Sequence, residues 1–340
     1  MQVKFHNTQN FKGLLHIDHE NGSINDSWFF RDEKTIKDSA SHIKSNFPHG
    51  ANILDYASST GEEIISIKCF LPEQQYKLIG YDTSTDAIKL GRKGIYSVFS
   101  HWYDSYLLPH FQIGKKAVKL DEQLQELKNK FYSVMEKVHT EPEFLKLNNK
   151  VAFIQMRNHM PDFVEKFFTL KDEYKGIIDL RLGNIINIGK YRGEKPVGAA
   201  FFRNAAYHLC GNNITEVIEQ LGTKPNSSIS SRFNILNYIA QGAHKILDDN
   251  GIFVIGNNIK DHLFLADKSL SPDEIIKFKD TPFFNPNLKS HIRKADLECA
   301  KESPLLKAFR LNNFEPIGFS NVEFGGLKIK VPTIWKKIRF

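Results

Sequence analysis

The residues best suited to chemistry run from Asp55 to Glu63, Asp-Tyr-Ala-Ser-Ser-Thr-Gly-Glu-Glu. A strand ends there, a run of small side chains turns, and a helix opens at Gly61. Small side chains let backbone amides approach a ligand, and the free N–H groups of a helix start receive polar or anionic groups. The three-glycine dinucleotide fingerprint is absent, so a pyrophosphate loop is disfavoured. Glu62 and Glu63 instead bring acid to the turn. They can receive the cationic amine of an amino-acid-like ligand, or simply complement the helix dipole. Asp82 follows 21 positions after Gly61, where a carboxylate at the end of the next strand can accept from both hydroxyls of a ribose. It can equally cap the helix that follows. Together, turn and acid suit a nucleoside that carries an amino acid rather than a diphosphate.

The elements that must position these groups are legible from periodicity. A helix is expected from Phe29 to Phe47, a buried strand over Ala51–Ser58, and a helix from Gly61 with Ile64, Ile65, Ile67 and Phe70 apolar, stopping at Pro72. A second strand covers Tyr76–Asp82, and Ser84 or Thr85 opens the next helix. Further strands are expected at Gly176–Leu182, Val197–Arg203 and Gly251–Asn257. A helix over about Ser231–Leu247 precedes the last of these, with Asp248 to Gly251 as a turn. Glu315–Ser320 and Lys328–Lys336 read as an antiparallel pair at the sheet edge. This alternation predicts an α/β, Rossmann-like, mostly parallel sheet with an antiparallel C-terminal edge. Residues 1–24 read as a short irregular extension and 25–340 as one domain. Its interruption at about 97–175 reads as a helical insertion, because Leu120, Leu124, Leu127, Phe131, Val134 and Val138 recur at helical spacing.

Four blocks, in order, carry a family resemblance. Asn25-Asp26-Ser27-Trp28-Phe29-Phe30-Arg31 resembles the Asn-x-Thr-x-Phe-Phe-Arg segment that precedes the core of CheR-type methyltransferases, which methylate glutamates of chemotaxis receptors. Ser59-Thr60-Gly61-Glu62-Glu63 is similar to that family's Ser-Thr-Gly-Glu-Glu turn. Gly94-Ile95-Tyr96 is similar to its Gly-Ile-Tyr, and Phe202-Arg203-Asn204 resembles its Cys-Arg-Asn. The resemblance implies a class I methyltransferase sheet and S-adenosylmethionine as cofactor. It implies that Asn25, Ser27 and Arg31 line the cofactor pocket, that Ser59, Thr60 and Gly61 form its turn, that Glu63 holds the methionyl amine and Asp82 the ribose. Asn184-Ile185 would stand beside the adenine, and Arg203 and Asn204 would close the site. From the residues alone, Phe29 and Phe30 can be core aromatics, and Arg31 can form a surface ion pair with Asp32 or Glu33.

Transfer of a methyl group from a sulfonium is an in-line displacement, so alignment and water exclusion are the main demands. A glutamate acceptor is already ionised at neutral pH and needs no general base. Two departures from the family bear on the acceptor. The family's tyrosine, four residues after the Arg-Asn asparagine, is replaced by His208, with Tyr207 one residue earlier. Either Tyr207 serves or His208 brings different chemistry, since a histidine can act as a base near neutrality; a buried structural histidine is a third reading. Only about 24 residues precede Asn25, so the insertion stands where a basic recognition domain would otherwise serve, either reading substrate or acting as a lid. The expected function is therefore methyl transfer to a protein carboxylate or another acceptor. A small-molecule methyltransferase and a non-catalytic S-adenosylmethionine-binding module are the alternatives.

Totals bound the rest. Lysine and arginine number 46 against 39 acids, a formal charge of +7 with a pI near 9.0. No dense basic block appears and the acidic-aromatic tetrad of adenine methylation is absent, which disfavours nucleic acid. Cys69, Cys210 and Cys299 form no CxxC pair, and the 13 histidines lack ligand spacing, so no metal is expected and reduced thiols in a cytoplasmic compartment are the simple reading. No apolar run reaches the 18 or so residues of a membrane span.

Overall fold

The computed structural model describes residues 15–17, 24–26, 29–99, 117–139, 165–203, 205–206, 229–257, 262, 304–324 and 327–339. The chain divides into two compact units.

The larger unit comprises 32–57, 75–83 and 183–340. It holds helix α1 (Glu33–Asn46) and strands β3 (Asn52–Tyr56), β4 (Lys77–Asp82), β9 (Val197–Phe202), β10 (Leu247–Val254), β11 (Phe314–Phe324) and β12 (Leu327–Lys337), with α5 (Ile229–Ile246) and α6 (Pro304–Leu311). The six strands lie side by side in the order β11-β12-β10-β9-β3-β4. The pairs β10–β9, β9–β3 and β3–β4 are parallel, while β10–β12 and β12–β11 are antiparallel. The Rossmann-like sheet with an antiparallel edge is thus as expected. β3 and β9 are completely buried, as a central parallel strand covered on both faces should be. Leu54, Tyr56, Ala200, Phe202 and Phe253 from three strands join Ile235, Ile239 and Ala243 of α5 and Phe309 of α6 in one core. Phe309 packs on Phe253, Phe314 and Trp335 with ring centroids 4.9, 5.2 and 5.2 Å apart.

The smaller unit comprises 1–31, 58–74 and 84–182. It holds α2 (Glu62–Phe70), α3 (Thr85–Gly91), α4 (Ala117–Val134) and β8 (Ile178–Leu182), plus an antiparallel sheet in the order β5 (Ile95–Phe99), β7 (Glu165–Leu170), β6 (Met135–Val138). Phe131 on α4 is its aromatic hub, edge-on to Phe29 at 5.2 Å and to Phe168 at 5.0 Å.

Several expectations are corrected. The helix expected from Phe29 begins at Glu33, because residues 29–32 form a turn with Phe30 and Asp32 in the left-handed region. The insertion is not purely helical: periodicity found α4, but the helical spacing fails at Val138, which lies in β6. Residues Leu15–Ile17 pair antiparallel with Ile24–Asp26 inside what reads as an irregular start. Asp248 to Gly251 belong to β10, across a register irregularity between Leu247 and Ile252.

Candidate active site

Chain order reverses between β3 and β9: β4 lies on one side of β3 and the later strands on the other. Open α/β sheets bind ligands at the carboxyl ends of strands at such a switch point. Tyr56, Asp82 and Arg203 end or follow the three strands there.

Asp82 is the last residue of β4 and only 7% exposed. Its carbonyl accepts from Gly183 N at 2.9 Å. The helix that follows is capped by Ser84, whose hydroxyl accepts from Ala87 N at 3.2 Å. Ser84 is thus the N-cap of α3, and Asp82 is the residue on which β4 ends. Behind it, Tyr56 and Tyr81 stack with centroids 5.0 Å apart. Gly183 is required beside them, since a β-carbon there would stand 2.6 Å from the Tyr81 ring.

Arg203 directly follows β9 and is buried together with Asp32, their side chains 0% and 3% exposed. The Nη2–Oδ2 separation is 3.8 Å, an ion pair rather than a hydrogen bond. Asp32 Oδ2 also accepts from Asn257 N at 3.2 Å. Burial pushes the Asp32 carboxyl upward, and the Arg203 charge and hydrogen bonds from Thr35 and Asn257 oppose that rise. Asp32 thus joins the start of α1 to the ends of β9 and β10. It does not form the surface pair with Arg31 that the sequence left open. His262, 4% exposed, donates through Nε2 to the Gly256 carbonyl at 2.9 Å, and burial pushes its pKa down to about 4.

Asn184 has its side-chain oxygen engaged by Ile186 N at 3.2 Å, opening a short 3₁₀ turn over Ile185–Lys190. Ile185 is buried in the main core.

In the smaller unit, the turn that opens α2 is left-handed at Ser59 (φ 50°) and Gly61 (φ 107°), and Ala57, before it, is left-handed as well (φ 62°). Non-glycine residues held in this region cost strain of the kind that functional sites accept. Gly61 N donates to Ser58 O at 2.9 Å. A β-carbon on Gly91 would stand 2.3 Å from the Thr60 carbonyl, so α3 can abut the turn only through a glycine. The Thr60 hydroxyl donates to the buried Glu62 carboxylate, and Glu63 is half-buried in the same first turn. Ser66 Oγ donates to Glu62 O at 2.7 Å and accepts from Phe30 N at 2.8 Å. That bond anchors the segment before Arg31. Phe29 packs edge-on to Tyr96 at 5.9 Å, so Phe29 and Phe30 are core aromatics. Burial, then the Glu62 charge, pushes the Tyr96 hydroxyl far up.

Asn25 lies in the strand Ile24–Asp26, opposite His16. Ser27, Asn204, Tyr207 and His208 lie outside the described residues. Sequence reasoning missed Asp32, Ser66 and His262. Only the identity of a polar residue beside an apolar run could have pointed to them, and their partners are far away in the chain. No group of three or more metal-ligating side chains exists among the described residues, and no helix there is long and apolar enough to cross a membrane.

No family model and no curated protein matches this sequence. Among solved structures, the chain is similar to the PH0226 protein of Pyrococcus horikoshii at 11% identity, with 90% of this chain and 91% of that one covered and a TM-score of 0.37. It is similar to a SAM-dependent methyltransferase of Methanosarcina mazei at 12% identity, covering 87% and 96%, TM-score 0.36. It is similar to the 1,6-didemethyltoxoflavin-N1-methyltransferase of Burkholderia thailandensis at 12%, covering 91% and 80%, TM-score 0.34. Likeness at this level assigns no activity; the fold stands on the strand order and pairing of the chain itself.

Proposed function

We propose that the chain is an S-adenosylmethionine-dependent methyltransferase of CheR type, acting on a protein carboxylate or another acceptor. The observation that carries this reading is Asp82: a buried carboxylate at the carboxyl end of the strand beside the switch point, with the helix-capping task given to Ser84. Two features fit the cofactor by their chemistry, each taken by itself. The Asp82 acid suits a ribose diol, and the small-residue turn before α2 suits the close approach of an amino-acid tail.

When bound, the cofactor would supply an electrophilic methyl group on a sulfonium. Asp82 would hold the ribose, Glu63 the amine, and Arg31, Asn25 and Ser27 the remaining wall, with Asn184 and Ile185 near the base. Ser59, Thr60 and Gly61 would form the turn against the amino-acid tail, and Arg203 and Asn204 would close the site. Tyr207 or His208 would face the methyl. A carboxylate acceptor needs no proton removed. The compartment we propose is cytoplasmic, and the insertion would read the acceptor.

Calorimetric titration with S-adenosylmethionine and with its demethylated product, S-adenosylhomocysteine, tests the reading. Micromolar binding of both, with labelled methyl appearing on an acceptor, supports it. Binding without transfer to any protein or small-molecule acceptor would leave a non-catalytic module. No binding of either would end it.

A further inference from the structure

Building on the cofactor reading, we propose that Asp32 is a charge-compensating positioning residue: its carboxylate cancels the Arg203 guanidinium, so that the carboxyl end of β9 accepts a cationic sulfonium as readily as a neutral thioether.

A guanidinium stays protonated in any folded protein. Arg203 is desolvated, its side chain 0% exposed, and it stands at the carboxyl end of β9 on the switch point. A positive charge stripped of water acts at a distance, because little solvent screens it. Without compensation it would oppose any ligand that brings a second positive charge into the same crevice. Asp32 is built to prevent this. Its Oδ2 lies 3.8 Å from Arg203 Nη2 and accepts from Asn257 N at 3.2 Å. The Asp32 backbone carbonyl accepts from Thr35 N at 3.1 Å. These donors come from α1 and from the segment after β10, so Asp32 is held from two sides. The left-handed backbone of Asp32 (φ 51°) is a further cost the fold accepts to place it there. If Asp32 only stabilised the fold, its loss would weaken all ligands alike. Charge compensation predicts discrimination between two ligands that differ by one methyl group and one charge.

The test titrates S-adenosylmethionine and S-adenosylhomocysteine into the same preparation of each protein, so that an unfolded fraction cancels from the ratio of the two Kd values. In Asp32→Asn, which keeps shape and loses charge, the ratio of the sulfonium's Kd to the thioether's rises by at least about fivefold relative to wild type. In Arg203→Met the uncompensated carboxylate moves the ratio the opposite way. The double variant, with both charges gone, returns it to near the wild-type value, and Asp32→Glu holds it there. Replacing a buried ion pair as a unit is tolerated far better than removing one partner, so the double variant is the one to read if a single variant is poorly folded. Equal losses for both ligands in Asp32→Asn, or an unmoved ratio in Arg203→Met, overturn the proposal while leaving the cofactor reading intact. Wild-type protein that binds neither ligand overturns both.

Discussion

The backbone N–H of Phe30 donates to the hydroxyl of Ser66 at 2.8 Å, across 36 positions of sequence. This one bond fixes the residue before Arg31 against α2. Ser66→Ala removes the hydroxyl that accepts from this buried amide, which costs about 1–3 kcal/mol of stability. Chemical denaturation measures that loss. On the proposed function, affinity for S-adenosylmethionine falls as well, because Arg31 loses its anchored neighbour. Unchanged stability would show that the amide finds another partner.

Gly61 carries the turn through φ 107°, and an added β-carbon would stand 3.2 Å from Tyr96 Oη and 3.3 Å from Leu180 Cδ1. Gly61→Ala therefore meets both backbone strain and crowding, together worth about 1–2 kcal/mol. A thermal melt reads the destabilisation, and calorimetry reads weaker cofactor binding from a displaced turn. A variant as stable as wild type would count against the left-handed conformation.

Asp82→Ala removes the acid assigned to the ribose. Its backbone carbonyl, bonded to Gly183 N, is untouched, so the strand end keeps its geometry. Cofactor affinity falls at least about tenfold, or about 1.4 kcal/mol. Full affinity in a folded variant would remove Asp82 from the pocket.

His262 gives a pH dependence. Burial holds its folded pKa at about 4, against 6.5 in the unfolded chain. Below pH 6.5 the unfolded state binds a proton that the folded state refuses, so stability falls as pH drops from 6.5 to 4. Over that window the loss reaches on the order of 3 kcal/mol. Asp32, whose pKa is raised, acts with the opposite sign at acid pH, so the comparison is between variants. His262→Gln has a shallower fall across the window in denaturation curves at fixed pH steps. Parallel curves for the two proteins would refute the assignment.

The sequence by itself determined the alternation of strand and helix, the switch from parallel core to antiparallel edge, and the positions of Asp82 and the Ser59–Glu63 turn. These are local properties: runs of buried β-branched and aliphatic residues, glycines where backbones must turn, and caps such as Ser84. Tertiary structure decided who partners whom. Asp32 is adjacent to Arg31 in sequence, which left a surface ion pair between them as one reading, yet its carboxylate pairs with Arg203, 171 positions away. The strands of the insertion were missed for a related reason. β5 and β6 each pair with β7, which is distant from both in sequence, and the helical spacing of α4 continues in sequence into β6. Pairing between distant segments is set by packing and by the burial of charge, and neither leaves a periodic trace in the chain.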